Sequence, residues 1–362
     1  MALDAPGLSS APPLVVTLTA PGRVEVLPAG REPLPPGHVR IRTRYSGISA
    51  GTELTQFRGT TPHAVREWQP DRRMFSDRPA AAFYPNTSWG YSEVGVVVEL
   101  GADVAPDVLA PGTAVWGTWG HRGEVVLPAA VVAGRVLPAA VDPVCGTFAR
   151  VGAVALNAVL AADVHVGETV AIFGQGVLGL LATQLATSNG GSVVAVDGIA
   201  ARLAHALGCG AVLGLDPATT DVGAACRDIT AGRGADVCIE ISGSYAALHE
   251  AVRSCAPGGR VVAAGFYQGD GIGLRLGEEF HHNRVQLVPS QISAPPPGLA
   301  PRWTPERLHA TVIELVAAGR LDVLRLVSDV VPVRRAAEAY ATLDADPAAA
   351  LQIVLDFGRD DR

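Results

Sequence analysis

The 362-residue sequence contains no lysine, so arginine supplies all 28 of its basic side chains. This absence excludes a Schiff-base amine, a P-loop lysine and the tyrosine–lysine pair of short-chain dehydrogenases. Arginine does not replace lysine in these reactions, because its guanidinium group keeps its proton near neutral pH. Any catalysis therefore depends on other side chains.

The chain also has few cysteines and no excess of positive charge. Five cysteines lie far apart with no C-x-x-C pair, which favours reduced core thiols over a disulfide framework or a structural zinc lobe. A net charge of −7 and the lack of a basic stripe argue against a nucleic-acid partner. No apolar run approaches the roughly 20 residues that cross a bilayer, and the start MALDAPGLSSAPP does not resemble a signal peptide. We therefore expect a cytoplasmic protein that acts on a small molecule, with neither nucleic acid nor a membrane as its partner.

The chain is longer than one typical hydrophobic core, so two domains are expected. From about Leu14 to Leu137, short β-branched runs are broken by Gly and Pro, which predicts an all-β, partly open barrel. Residues 152–293 alternate apolar strands, Gly-rich turns and amphipathic helices, which predicts a parallel sheet covered by helices on both faces. The predicted fold is thus α/β, with residues 1–151 and 294–362 forming the β domain around the inserted segment. One long loop, Gly59–Ser88, has the size of a functional or mobile segment.

A glycine-rich turn joins a predicted strand to a predicted helix in TVAIFGQGVLGLLATQLA. Gly174, Gly176 and Gly179 form the pattern G-x-G-x-x-G. In order, these glycines permit a tight turn, a close approach of the backbone to a pyrophosphate, and close packing of the helix on the strand. The helix begins near Val177 and Leu178, and its first N–H groups would point at the phosphates. The pattern predicts a dinucleotide-binding site.

The next predicted strand ends at Asp197, at the spacing where dinucleotide sites place an acidic residue. Its carboxylate would accept hydrogen bonds from the adenosine ribose and would repel a 2′-phosphate. The nearest arginine that could bind such a phosphate, Arg202, does not follow immediately. The sequence therefore favours NAD(H) over NADP(H).

Two later strand ends fall on the carboxyl edge of the same predicted sheet. The nicotinamide half of the cofactor would lie there, but ordinary turn chemistry explains these residues equally well. The residues concerned are Ser242, Gly243, Gly265 and Phe266.

Seven segments together resemble the medium-chain dehydrogenase/reductase superfamily, and the resemblance covers nearly the whole chain. These segments are SGISAGTE, GYSEVGVVVELG, PGTAVWG, GQGVLG, ALGCGA, PGGRVVAAG and HHNRVQLVPSQ. The family implies a GroES-like β-barrel catalytic domain and an inserted Rossmann domain, with catalysis in the cleft between them. Its members often pair subunits near the last of these segments, which implies a homodimer. The sequences of the first two segments are similar to those in the branch that contains bacteriochlorophyllide a dehydrogenase.

The three zinc-ligand positions of this family carry other residues here. The first corresponds to Ser49 or Ala50, the second to Tyr91, and the third falls near Ala149. An open catalytic zinc site needs three protein ligands among Cys, His, Asp and Glu, and these residues do not supply them. His281–His282 is the only close histidine pair, but it precedes the last Rossmann strand, away from the expected cleft. The sequence predicts a metal-free enzyme.

Without a metal, a network of hydroxyl groups would have to handle the substrate oxygen. The candidates are Thr52, which matches the proton-relay Ser/Thr of the family, together with Glu53 and Tyr91. A tyrosine can polarise a carbonyl by donating a hydrogen bond, although with an ordinary pKa of about 10 it needs help to act as a base. Glu53 could tune it. Equally, Glu53 could be structural, Tyr91 could fill space, and His121 could be either catalytic or a polar loop residue.

The leading hypothesis is a metal-free, NAD(H)-dependent oxidoreductase for a secondary alcohol/ketone pair in a polyol, cyclitol or ring-bearing metabolite. A zinc-free enoyl or quinone reductase is the rival enzyme, and Asp197 counts against it because those relatives usually prefer NADPH. A cofactor-binding protein without turnover is the rival of a different class, since decay would also remove metal ligands.

Overall fold

The computed structural model describes residues 11–78 and 83–358. The described residues do not include 1–10 or, in the long loop, 79–82. The expectation about targeting depends largely on residues 1–10. The chain divides into two compact units, Met1–Arg150 with Asp322–Arg362, and Val151–Leu321.

The first unit is dominated by β-strands. Numbered along the chain, its strands are β1 (Leu14–Ala20), β2 (Arg23–Pro28), β3 (His38–Gly47), β4 (Arg66–Gln69), β5 (Met74–Asp77), β6 (Glu93–Leu100), β7 (Ala114–Gly117), β8 (Glu124–Pro128), β15 (Val327–Pro332) and β16 (Gln352–Asp356). Its helices are α1 (Ala50–Phe57), α2 (Ala129–Ala133) and α9 (Ala336–Ala345). The main sheet has the order β15-β16-β3-β6-β7, with β8 also paired to β3, while β1–β2 and β4–β5 form separate two-stranded sheets.

Strand β3 leads directly into the candidate catalytic segment. It ends at Gly47, where a Cβ atom would lie only 2.5 Å from Gln352 Nε2 of β16. A side chain at position 47 would therefore require the Gln352 side chain to move. Ile48 is fully buried and anchors the following turn in the core, so that helix α1 begins at a fixed place beside the sheet.

The second unit is a parallel sheet flanked by helices. Its strands are β9 (Thr169–Phe173), β10 (Ser192–Val196), β11 (Leu213–Leu215), β12 (Ala235–Glu240), β13 (Cys255–Ala263) and β14 (Gln286–Pro289). Its helices are α3 (Ala149–Ala162), α4 (Val177–Ser188), α5 (Ala200–Gly208), α6 (Val222–Asp228), α7 (Tyr245–Ser254) and α8 (Pro305–Ala317). The strand order is β11-β10-β9-β12-β13-β14. From β9, the chain adds strands first on one side and then, from β12, on the other, as in a Rossmann fold. The predicted α/β class is confirmed.

The chain returns to the first unit at Asp322 rather than at residue 294 as predicted. Helix α8 belongs to the second unit, where it packs against helix α3: a Cβ atom at Gly152 would lie 2.5 Å from Val312. The amphipathic pattern of α8 identified a helix, but it did not say which core its apolar face would join.

One helical stretch in the described part of the chain, Pro143–Ala162, is long and apolar enough to cross a membrane. Of its most apolar window, 83% is buried inside the protein. This burial is typical of a core helix, and the stretch combines a 3₁₀ segment, Pro143–Phe148, with helix α3.

Candidate active site and cofactor site

Three hydroxyl groups meet at the amino end of helix α1. The hydroxyls of Ser49 and Tyr91 share a hydrogen bond, and the Tyr91 hydroxyl also donates to Thr52 Oγ1 at 3.2 Å. Ser49, and not Ala50, is therefore the residue beside Tyr91. Ser49 is buried, whereas Thr52 and Tyr91 are half-buried. These residues are called the hydroxyl trio below.

Tyr91 is held in its protonated form. Burial raises the pKa of the Tyr91 phenol above 10.0, and the negative charge of Glu53 raises it further. Hydrogen bonds with Ser49 and Thr52 and the positive charge of Arg150 act in the opposite direction, but they do not outweigh the rise in pKa. Near neutral pH the phenol therefore keeps its proton, which suits Tyr91 to donate a hydrogen bond. Arg150 directly follows Ala149, near which the family resemblance places the third zinc-ligand position.

Glu53 lies behind the hydroxyl trio and is fully buried. One of its oxygens accepts the backbone N–H of Ser49 at 2.9 Å. The other accepts a hydrogen bond from the Tyr340 hydroxyl and lies 2.9 Å from His121 Nε2. Because both oxygens are engaged in this way, Glu53 acts on Tyr91 through its charge and through the Ser49 backbone. The structural interpretation of Glu53 therefore fits the geometry better than a direct role.

His121 lies in the loop between β7 and β8 and is fully buried. Its Nδ1 lies 2.6 Å from the Ser46 hydroxyl, which donates to Glu93 Oε1 at 3.1 Å. Burial lowers the pKa of His121, but Glu53 and Glu93 together raise it above 6.5. An imidazolium ion would donate one N–H to Glu53 and the other to Ser46, which matches this geometry. The raised pKa favours the imidazolium form of His121, which would lie between the side chains of Glu53 and, through Ser46, Glu93.

Tyr340, which sequence analysis missed, completes the cluster from helix α9. Its side chain is fully buried, and its ring stacks on Trp89 with centroids 4.6 Å apart. Its hydroxyl donates a hydrogen bond to Glu53 and lies 3.0 Å from His121 Nε2. Nothing in the sequence around Tyr340 marks it as part of a site, because its partners lie more than 200 residues earlier in the chain.

The positions that the resemblance aligns with zinc ligands carry side chains that are not typical zinc donors. Ser49 and Tyr91 bond to each other, and Ala149 has no donor side chain. Within residues 11–78 and 83–358, no group of three or more His, Cys, Asp or Glu side chains could hold a metal ion. The rings of His281 and His282 lie 5.6 Å apart and are exposed, so this pair stays outside any such group.

In the second unit, the three glycines of the turn form an open cradle. Gly174 has a φ of +93°, and a Cβ atom there would lie 2.7 Å from Ser242 Cβ. A Cβ atom at Gly179 would overlap the carbonyl oxygen of Gly174, so the helix packs directly on the turn. Gly176 caps helix α4, and among the described residues outside its own turn, Arg202 Nη1 is the atom nearest its Cβ position, at 3.9 Å. Space for a pyrophosphate therefore remains at Gly176, in front of the first helical residues.

Those first helical residues are Val177 and Leu178, and both are half-buried. Their N–H groups belong to the free amino end of a 12-residue helix, where the helix dipole favours negative charge. The predicted start of helix α4 at these residues is confirmed, and their contact with a cofactor stays a prediction.

Asp197 and Arg202 line one cavity of about 800 Å³. The Asp197 carboxylate accepts the N–H groups of Gln175 at 2.6 Å and Ile199 at 2.9 Å. Arg202 Nη1 lies 4.0 Å from this carboxylate, closer than the sequence suggested. Gly174 and Ser242 line the same cavity, as do Thr219 and Thr220. The cavity has room for the adenosine half of a dinucleotide.

The strand ends after β12 and β13 lie against each other beside the Gly174 turn. Gly243 has a φ of +80°, and a Cβ atom there would lie 2.8 Å from the Phe266 carbonyl oxygen. A Cβ atom at Gly265 would overlap Gly243. Ser242, Gly243, Gly265 and Phe266 thus form one compact edge, as predicted from their positions.

Comparison with known proteins agrees with this arrangement. Residues 177–296 match the zinc-binding dehydrogenase family. The D-guloside 3-dehydrogenase of Escherichia coli (strain K12) is 34% identical over 330 residues, which cover 88% of this chain and 93% of that protein. The 2-desacetyl-2-hydroxyethyl bacteriochlorophyllide A dehydrogenase of Cereibacter sphaeroides is 29% identical over 336 residues, or 89% of this chain and 91% of that one.

A solved structure of a zinc-binding dehydrogenase from Sinorhizobium meliloti 1021 bound to NADP has the same fold, with a TM-score of 0.74 and 23% identity. The alignment covers 95% of this chain and 99% of that one. The sequence relatives and the Rossmann turn lead to the same conclusion: the chain belongs to the medium-chain dehydrogenase/reductase superfamily and is an NAD(P)-dependent oxidoreductase of the zinc-binding dehydrogenase family.

Proposed function

We propose that this oxidoreductase interconverts a secondary alcohol and a ketone on a sugar-like or other ring-bearing metabolite, with NAD(H) as cofactor and without a metal. The observation that supports this most directly is the hydroxyl trio. The family resemblance aligns two of its members, Ser49 and Tyr91, with zinc-ligand positions. A hydroxyl group that donates a hydrogen bond can replace a metal ion as the group that polarises a carbonyl.

The cofactor fits the residues of the second unit. The glycine cradle and the amino end of helix α4 would hold the pyrophosphate, and Asp197 would hold the adenosine ribose. When bound, the nicotinamide supplies or accepts the hydride. Two lone pairs on each Asp197 oxygen leave acceptor capacity beyond the two backbone N–H groups already bound. The nearby Arg202 offsets part of its charge, so the preference for NAD(H) should be moderate.

In the direction of ketone reduction, the carbonyl oxygen would replace Thr52 Oγ1 as the acceptor of the Tyr91 hydroxyl. As the hydride reaches the carbonyl carbon, the Tyr91 proton would pass to this oxygen to give the alcohol, and water would reprotonate the phenolate. The raised pKa of Tyr91 keeps the proton available for this step. Ser49 and Thr52 orient the phenol, and the positive charge of Arg150 favours the developing oxyanion. Glu53, held by His121 and Tyr340, fixes the Ser49 backbone and thus the geometry of the trio.

The substrate class rests on sequence similarity. The relative named D-guloside 3-dehydrogenase, at 34% identity over most of both chains, supports a hydroxyl on a sugar ring. The relative named for a bacteriochlorophyllide supports a hydroxyl next to a larger ring system. Both relatives are named for the oxidation of a secondary alcohol. An enoyl reductase acts instead on a carbon–carbon double bond.

The decisive experiment mixes the purified protein with NAD⁺ and a panel of glycosides, polyols and cyclitols, and follows NADH formation. Turnover of a glycoside or cyclitol is the expected result. Reduction of enones by NADPH alone would instead support an enoyl or quinone reductase, and tight dinucleotide binding without turnover would support a non-catalytic protein.

Metal independence is tested on the same preparation. Elemental analysis should find well below one zinc per chain, and chelators should leave the activity intact. Zinc bound in equal amount to the protein and required for activity would overturn this part of the proposal.

We also propose a cytoplasmic homodimer. All five cysteines are buried free thiols, which suits a reducing compartment. Strand β14 lies at one end of the parallel sheet and carries the partly exposed Leu287, so a second copy could pair with it. Light scattering after size-exclusion chromatography should give twice the 37.3 kDa chain mass.

A further inference from the structure

A fully buried carboxylate, Glu240, stands at the carboxyl end of strand β12. It accepts the backbone N–H of Ser242 at 2.8 Å and that of Gly243 at 3.1 and 3.2 Å. It also accepts hydrogen bonds from the side-chain hydroxyls of Ser242 and Tyr267. A single side chain thus joins the turn after β12 to the turn after β13.

These turns touch each other so closely that no side chain would fit between them. The Cβ positions of Gly174 and Gly243 lie against Ser242 and the Phe266 carbonyl group, and that of Gly265 lies 2.7 Å from Glu240 Oε2. Three strand ends, those of β9, β12 and β13, therefore meet backbone to backbone. Glu240 is the polar group that the last two share.

Tyr267 extends this junction further. Its ring lies 5.1 Å from that of Tyr245 at the start of helix α7, and the Tyr245 hydroxyl donates to the Gly269 carbonyl oxygen at 3.1 Å. Burial and the charge of Glu240 raise the pKa of Tyr267, so its hydroxyl remains a donor. The loop after β13 is thereby fixed at both of its sides.

The strand order shows which part of a dinucleotide this junction would face. The adenosine end lies at Asp197, which follows β10, and the pyrophosphate cradle follows β9. In a doubly wound sheet the ligand crosses the carboxyl ends at the point where the strand order reverses, here between β9 and β12. The remaining half of the cofactor must then lie over the ends of β12 and β13.

We propose that Glu240 is a positioning residue for the nicotinamide half of the cofactor, acting through the turns at Ser242–Gly243 and Gly265–Tyr267. It does not touch the cofactor itself. This inference rests on the proposed binding of NAD(H). A buried carboxylate is costly unless hydrogen bonds satisfy it, and glutamine could not accept all of these donors, because its amide nitrogen only donates.

The test compares affinities for NADH and for AMP, which represents the adenosine half alone. In Glu240→Gln we expect NADH to bind at least about tenfold more weakly, the order of one hydrogen bond to a charged group, while AMP affinity stays within about twofold of the wild type. A purely structural role would weaken both ligands together. Calorimetric titration measures both affinities on the same protein.

The matched control is Asp236→Asn. Asp236 lies near the opposite end of the same strand and accepts the Thr169 N–H at 2.8 Å. It is a carboxylate that bonds to backbone away from the cofactor edge, so its replacement should leave both affinities unchanged. A loss of NADH affinity in this control equal to that in Glu240→Gln would overturn the proposal.

Tyr267→Phe provides a second route if Glu240→Gln does not fold. It removes one hydrogen bond but keeps the carboxylate, and it should weaken NADH binding selectively by a smaller factor. Equal affinity ratios in the variant and the wild type would overturn the proposal. Failure of the wild type itself to bind NADH, with AMP still bound, would instead overturn the proposed function.

Discussion

Glu53 in the first unit and Glu240 in the second are two fully buried carboxylates in similar surroundings. Each accepts a tyrosine hydroxyl and at least one backbone N–H group. They differ in how their charge is balanced. Glu53 faces His121, whose pKa is raised so that it favours the cation. Burial raises the pKa of Glu240, and the described hydrogen bonds that oppose this rise come from neutral donors.

This difference shows that a buried carboxylate can have two structural roles. In the first unit, ion pairing fixes a group of side chains behind the hydroxyl trio. In the second, neutral hydrogen bonds join turns of the backbone. Removal of one member of an ion pair should therefore cost more stability than removal of an acceptor for neutral donors.

The largest effect is expected for Glu53→Gln. This change leaves the buried His121 cation without its partner, and loss of one partner in a buried pair typically costs 3–5 kcal/mol. We expect the free energy of unfolding to fall by about 3 kcal/mol, measured by urea denaturation. The double variant Glu53→Gln with His121→Gln should recover part of this loss. If it recovers none, His121 is not the cation that Glu53 balances.

Tyr91→Phe should affect catalysis more than stability. The change removes the hydrogen bond offered to the substrate while nearly preserving volume, and positioned acid–base groups are worth about 10²–10⁴-fold in rate. We expect hydride transfer to slow by about 100-fold with NADH affinity unchanged. Tyr267→Phe should show the reverse pattern, with NADH affinity reduced. Near wild-type turnover in Tyr91→Phe would make its phenol a space-filling group.

The pH dependence of the free energy of unfolding should show whether the pKa of Glu240 is raised on folding. A carboxyl group whose pKa is raised on folding contributes stability below its ordinary pKa of 4.5, and this contribution is lost as the pH rises through the folded-state value. Glu240→Gln should therefore destabilise the protein most below pH 4.5 and less above the folded-state pKa, by about 1.5 kcal/mol at most. Thermal unfolding of both proteins across this pH range measures the difference. A cost that grows with rising pH would contradict the assigned direction.

The smallest effect concerns the adenosine end of the second unit. NADH should bind about tenfold more tightly than NADPH, a difference of about 1.4 kcal/mol, and Asp197→Ala should narrow this gap by relieving repulsion of the 2′-phosphate. Arg202→Ala is the matched change of opposite charge and should widen it. Fluorescence titration with both nucleotides decides the matter, and equal affinities in the wild type would remove Asp197 as the basis of cofactor choice.

The cofactor turn could be predicted because all of its parts are close in the sequence. A turn, a helix start and the acidic end of the next strand each follow from local residue types such as Gly174 and Asp197. The hydroxyl trio was partly predictable, since Thr52 and Tyr91 stand at positions that the family marks. Only the fold could decide between Ser49 and Ala50, because that choice depends on which side chain faces Tyr91.

The rest of the site could not be predicted, for physical reasons. His121 and Tyr340 reach Glu53 across separations of 68 and 287 residues, and no local pattern records such contacts. Glu240 was visible at a strand end, but its burial and its five hydrogen bonds arise only when the neighbouring turns pack on it. The boundary at Asp322 depended on the same kind of long-range packing.

The contact between Glu53 and Tyr340 also has a consequence for biosynthesis. Residues 151–321 form a compact unit of their own, and the ribosome completes them before Tyr340 and strand β16 are made. Since domains generally fold as units during synthesis, and long-range contacts must wait for both of their partners, we expect the Rossmann unit to be folded first. The polar cluster behind the hydroxyl trio would then be among the last parts of the nascent protein to assemble, so cofactor binding would precede catalytic competence.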